Sequence, residues 1–104
     1  MGRRQSLILV RPGERFLALV QEVSEDESFT LEELRADSTA YLVPAVEAEA
    51  ELEEVLRECA SEIFERELAD WIQDSERWPA YRGYDEFREW FAVELATTVV
   101  DLDD

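Results

Sequence analysis

In Ser6-Leu7-Ile8-Leu9-Val10-Arg11-Pro12-Gly13, residues 6–10 are a short continuous apolar run, cut off soon after by a proline and a glycine. It is too short for a helix of ordinary length and carries no polar stripe, so it reads as a buried strand closed by Pro12-Gly13. This reading decides the fold class. With it the chain is α+β; without it, an all-α bundle is the alternative, because helices carry most of the remaining apolar pattern.

Downstream the period changes. Phe16, Leu19, Val20 and Val23 follow the i, i+3, i+4, i+7 spacing of one helical face. A hairpin through Pro-Gly is the competing reading, but Leu17, Leu19 and Val20 would crowd both faces of a second strand. Ser24 to Ser28 is an acidic loop. Thr30 and Glu33 have the spacing of a capping box, which starts a short helix with Leu31 and Leu34 inward. Thr39-Ala-Tyr-Leu-Val43 is β-prone and stops at Pro44, which cannot donate to a ladder.

Glu47 to Gln73 is the longest helical pattern. Its early apolar set is Leu52, Val55, Leu56, Cys59 and Ile63; its later set is Phe64, Leu68, Trp71 and Ile72. The two sets are rotated by roughly 130° at 100° per residue. The helix therefore meets two different neighbours along its length or breaks near Ala60-Ser61. Trp78 precedes Pro79 and is pushed to an extended conformation. Tyr84, Phe87, Trp90, Phe91 and Leu95 mark a further helix with Asp85 as its expected cap. Thr97-Thr98-Val99-Val100 is β-branched throughout and predicts a strand. Asp101 to Asp104 reads as a solvated tail.

The expected architecture is one domain over residues 1–104. Three short strands, near 6–10, 39–43 and 97–101, form a small sheet covered on one face by helices, in the order β-α-α-β-α-α-β. At 104 residues with 46% apolar composition, a single core is expected rather than disorder.

Ten arginines stand against 19 Glu and 8 Asp, with no lysine, histidine or asparagine, for a formal net charge of −17. A phosphate backbone or an anionic membrane surface would be repelled, so neither nucleic acid nor membrane is an expected partner. Arg3 with Arg4, then Arg11 with Arg15, are the only cationic spots in which arginines stand within four residues of each other. The apolar run after Arg3-Arg4 is too short for a secretory signal, no stretch nears the roughly 20 apolar residues of a membrane span, and Cys59 is the single cysteine. The expected location is the cytoplasm.

Tyr41-Leu42-Val43-Pro44, Ile63-Phe64 with Leu68 and Trp71, Trp78-Pro79, Trp90-Phe91 and Val99-Val100-Asp101-Leu102 together resemble a family of small uncharacterised bacterial proteins. The resemblance spans roughly residues 30–102, and its motifs are packing motifs. It implies no activity, cofactor or partner. Its members are less acidic than this chain, which implies that the charge belongs to the lineage.

Catalytic chemistry finds little to work with. The usual general base near neutral pH is histidine, and there is none. Carboxylates are too numerous for any pair to stand out. Cys59 lies among apolar helix positions beside Glu58 and Glu62, and acidic neighbours make a thiol less reactive. No zinc set exists, and neither Glu25-Asp26-Glu27 nor Asp101-x-Asp103-Asp104 has the spacing of a calcium loop. No catalytic residue, metal or cofactor is expected, and the chain is read as a non-enzymatic interaction or regulatory protein.

Two features remain as candidates. Glu47, Glu51, Glu54, Glu58, Glu62 and Glu65 share one helix face. They are either an ordinary solvated face or part of a DNA mimic that binds a DNA-binding protein, the second functional reading. One carboxylate per turn is spaced by about 5.4 Å, against one charge per roughly 1.7 Å of duplex DNA, which favours the solvated face. A high-salt cytoplasm or a GC-rich genome would produce the same composition without a partner. The second feature is Trp78, Pro79 and Tyr81, loop residues suited to anchoring another protein. The sequence sets no oligomeric state.

Overall fold

Residues 5–36, 38–96, 99 and 102 are described in the computed structural model. The apolar N-terminal run is strand β1 (Gln5–Pro12), and it alternates cleanly: Ser6, Ile8, Val10 and Pro12 are buried, whereas Leu7 and Leu9 are half-buried and Arg11 is exposed. Helix α1 (Glu14–Ser24) follows immediately and excludes the hairpin. Helix α2 (Leu31–Arg35) leads to β2 (Thr39–Pro44), α3 (Glu49–Trp71), a 3₁₀ turn (Ser75–Arg77), α4 (Tyr84–Trp90) and β3 (Phe91–Ala96). The order is β-α-α-β-α-α-β, and the class is α+β.

The sheet is antiparallel throughout, with β1 in the centre and order β2-β1-β3. Ser6 lies opposite Val43, and Val10 lies opposite Val93. Buried Ser6 earns its place in an apolar face because its hydroxyl accepts the Val46 N–H at 2.9 Å; an unsatisfied hydroxyl there would cost about 1–3 kcal/mol. On the same face Ile8 and Val10 join Phe16, Leu34, Leu56, Ile63, Phe64, Leu68, Phe87 and Phe91 in one core. Phe64 of α3 has its ring centroid 5.5 Å from that of Trp90 and 5.1 Å from that of Phe91.

Helix ends follow local chemistry. The capping box on α2 is complete: Glu33 N–H donates to Thr30 Oγ1 and Thr30 N–H to Glu33 Oε1, each at 3.2 Å. α1 ends on Glu25 with φ 57°, a left-handed conformation that glycine would adopt without penalty. Asp85 is not the cap of α4. Gly83 holds that position, with no capping side chain, and Asp85 lies in the first turn.

α3 is unbroken over its 23 residues, so the rotation of its apolar sets reflects two neighbours. Its first half meets the start of α4 and the segment before it, where the Arg57 guanidinium sits 4.4 Å from the Tyr84 ring centre and Ser61 Oγ donates to Arg82 O at 2.8 Å. Its second half meets the sheet and the loop after α1, where Phe29 packs edge-on against Trp71.

The third strand departs from expectation. The helix expected to carry Phe91 and Leu95 stops at Trp90, and Phe91–Ala96 is the strand. The expected strand at 97–101 lies outside the described residues except for Val99, which is in no strand. The physical cause is β1. Gly13 N–H donates to Trp90 O at 2.8 Å, and from there the chain zips along β1 with Phe91 opposite Pro12. A Cβ on Gly13 would sit 3.1 Å from that carbonyl oxygen, so glycine permits the close approach.

Candidate functional site

Opposite residues of neighbouring strands point to one face, so the register also defines the side of the sheet away from the core. Leu7 lies between Leu42 and Ala96, Leu9 between Ala40 and Glu94, and Arg11 beside Ala92. No described helix covers this face. Leu42 is 58% exposed, Ala40, Ala92 and Ala96 are exposed, and Leu7 and Leu9 stay half-buried without joining the core. Only one described ion pair, Arg11 to Glu94 at 3.1 Å, crosses it.

At the edge of this face a groove of about 240 Å³ separates β2 from α3. Tyr41, Leu42 and Val43 form one wall. Cys59, Glu62, Ile63 and Arg66 form the other. β2 pairs with β1 only, so its outer edge has no strand neighbour among the described residues. Burial first, and then the Glu62 and Glu58 carboxylates, push the Cys59 thiol pKa up. A thiol held protonated in this way is a poor nucleophile.

Beneath the groove lies a residue the sequence analysis passed over. Glu67 is 4% exposed, and its Oε2 accepts the Tyr41 hydroxyl at 2.7 Å. Burial raises its pKa above the usual carboxylate value, and Asp70 adds to the rise; hydrogen bonds from Tyr41 and Thr39 oppose it. Tyr41 is raised in turn, by burial and then by Glu67, so its hydroxyl remains a neutral donor. The signal was present in the spacing: Ala60, Ile63, Phe64 and Glu67 step by three and four along one buried stripe.

The sequence candidates fare unevenly. Trp78 is extended as expected (φ −75°, ψ 153°), but it is half-buried, and its indole N–H donates to Ile72 O at 2.8 Å. Arg82 lies 5.7 Å from its ring centre. Trp78 and half-buried Pro79 thus tie the loop to its own fold, and Tyr81, at 77% exposure, is the member of the trio turned outward. On α3, Glu51, Glu54, Glu58 and Glu62 are exposed, and Glu65 is half-buried; Glu47, just before the helix, is also exposed. Glu62 pairs with Arg66 at 3.5 Å and Glu65 with Arg82 at 3.2 Å. Exposed carboxylates also stand on α1, α2, α4 and β3, a scatter rather than a row confined to one helix. Of the N-terminal arginines, Arg11 and Arg15 pair with Glu94 and Glu89, and Arg3 and Arg4 lie outside the described residues. Among the described residues no three carboxylate or thiol groups converge on a metal site, including Glu25-Asp26-Glu27.

Four ion pairs between mostly exposed side chains stand among the described residues, and each such pair contributes about 0–1 kcal/mol. They leave a large excess of negative charge that repels itself. The Debye length falls from about 30 Å at 0.01 M to about 3 Å at 1 M ionic strength. Raising potassium chloride across that range is therefore expected to raise the melting temperature, and a matched uncharged osmolyte should not reproduce the low-salt part of the rise. A flat or falling melting temperature would show the charges to be well paired.

Neither a protein-family model, a curated protein nor a solved structure matches the chain. No described helix is long and apolar enough to cross a membrane.

Proposed function

We propose that the protein is a non-enzymatic interaction module of the cytoplasm, which holds a cationic partner protein through the open face of its sheet. The observation that carries this reading is Leu7, Leu9 and Leu42 standing together on a face no described helix covers. An apolar patch on a chain of net charge −17 selects its partner. A second copy would bring the same charge and be repelled, whereas a surface with aliphatic side chains and Lys or Arg around them is attracted and steered in. Tyr81 is the secondary anchor. DNA mimicry is the weaker alternative: Glu62 and Glu65 are engaged with arginines, and the carboxylates are spread over several elements.

The double variant Leu7→Thr/Leu42→Thr keeps β propensity and net charge and removes the apolar patch. Affinity capture from cell extract is expected to yield a basic protein that salt elutes from the wild type and that the double variant loses. Circular dichroism should show both folded. The same capture profile from the variant would overturn the proposal. Loss on Tyr81→Ala alone would move the anchor to the loop.

A further inference from the structure

We infer that the outer edge of β2 accepts an extended peptide of alternating basic and aliphatic residues, which adds to the sheet as a fourth strand over the groove between β2 and α3. The inference rests on the proposed binding role and gives that role a place and a ligand chemistry. Three observations converge on it. β2 is an edge strand with no strand neighbour among the described residues, and such an edge offers alternate N–H and C=O groups to an incoming strand. The space beside it is open and partly apolar, with Val43 in the strand wall and Cys59 and Ile63 in the helix wall. Carboxylates outnumber cations around it: Glu62 and Arg66 line the groove as an exposed pair at 3.5 Å, Glu58 lies near enough to act on the Cys59 thiol, and Asp70 acts on the Tyr41 hydroxyl.

Side chains of an added strand alternate between the two sides of the sheet. Those turned inward pass over Cys59 and Ile63. Long basic side chains suit this position, because their aliphatic stems cover Cys59 and Ile63 while their heads reach the carboxylates of α3. Those turned outward lie beside Leu42 and extend the open face, which suits valine or leucine. Main-chain hydrogen bonds supply affinity without regard to sequence, and the alternation supplies selectivity. A second copy of this chain offers no such strand without bringing its own excess of carboxylates to the groove.

The test is a ¹⁵N-resolved NMR titration of the full chain with acetyl-Lys-Val-Lys-Val-Lys-Val-Lys-amide. Saturable shifts are expected at Thr39–Val43 and at Cys59–Arg66. The Glu-Val counterpart should not bind. Methylation of alternate peptide nitrogens of the Lys-Val probe, which deletes donors and leaves the charge, should weaken binding about tenfold. Glu62→Arg should weaken it about fivefold, and Glu22→Arg, the same charge change on α1 away from the groove, less than about twofold. The inference is overturned by the absence of saturable binding, by equal binding of the methylated peptide, by equal effects of the two charge reversals, or by sedimentation showing β2 occupied in a dimer. If the peptide fails while Leu7→Thr/Leu42→Thr still loses its partner, the edge site falls and the open face stands. If the peptide binds at β2 and the double variant keeps its partner, the open-face role falls and the edge site stands.

Discussion

Phe64→Ala is expected to destabilise the fold by about 3–5 kcal/mol, the range for deleting a fully buried aromatic ring. Phe64 has no exposed surface. It is the residue of α3 whose ring meets both Trp90, the last residue of α4, and Phe91, the first of β3. Its removal would leave a void where helix, helix and sheet join. At about 4–8 °C per kcal/mol for a domain near this size, the melting temperature should fall by more than about 12 °C. Phe64→Leu, which keeps much of the volume, should lose less than half as much. Denaturant unfolding of the three proteins measures this. A loss below about 1 kcal/mol for the alanine variant would mean that α3 does not close the core at this junction.

The second large effect has the opposite sign. Glu67→Gln is expected to stabilise the protein at pH 7.5. The folded-state pKa of Glu67 is raised, so the folded chain holds that proton more tightly than the unfolded chain does. Stability contributed by the group is therefore gained as pH falls through the raised pKa and lost as pH rises above it. Glutamine accepts the Tyr41 hydroxyl as the carboxylate does and carries no charge to bury. Each unit by which the pKa is raised corresponds to about 1.4 kcal/mol at neutral pH. The advantage of the variant should shrink towards zero near pH 4, where Glu67 is protonated in both states. Tyr41→Phe should act the other way, costing about 1–3 kcal/mol at pH 7.5 because the buried carboxylate loses a donor. Because every other carboxylate is common to wild type and variant, the difference between their pH–stability curves isolates Glu67. A constant difference from pH 4 to 8 would show that the residue does not titrate in this range.

Much of the fold was legible in the chain. β1 and β2 begin and end within two residues of the sequence reading, and Pro12-Gly13 and Pro44 mark their ends as expected. The Thr30–Glu33 box is local chemistry, and local chemistry is visible in sequence. β3 was misplaced for a definite reason. Phe87, Trp90, Phe91 and Leu95 fit a helical period, while Phe91, Val93 and Leu95 equally fit a strand's alternation, and no Gly or Pro lies between α4 and β3. A partner decides such a tie, and the partner is β1, far away in sequence. The proposed binding surface was hidden by the same circumstance. Leu7, Leu9 and Leu42 look like core residues until the register puts them on one side of the sheet, a side that no described helix covers. The aromatic loop drew attention because Trp-Pro is conspicuous, but the Trp78 indole is used by Ile72. Glu67 went unremarked among 19 glutamates, although its place in the Ala60–Ile63–Phe64 stripe sets it apart.

The position of β1 also governs the order in which the molecule can be built. Its first neighbour, β2, is synthesised soon after it, but β3 is made only after α3 and α4. Until then a ladder edge rich in leucine, isoleucine and valine stands open on the nascent chain. A β1–β2 ribbon without β3 would be marginally stable in water. Completion thus depends on a downstream segment, and a chain halted after α3 would expose the central strand instead of an outer one. For such a chain the surplus of carboxylates becomes an advantage, since like charge keeps incomplete copies apart while they wait for their third strand.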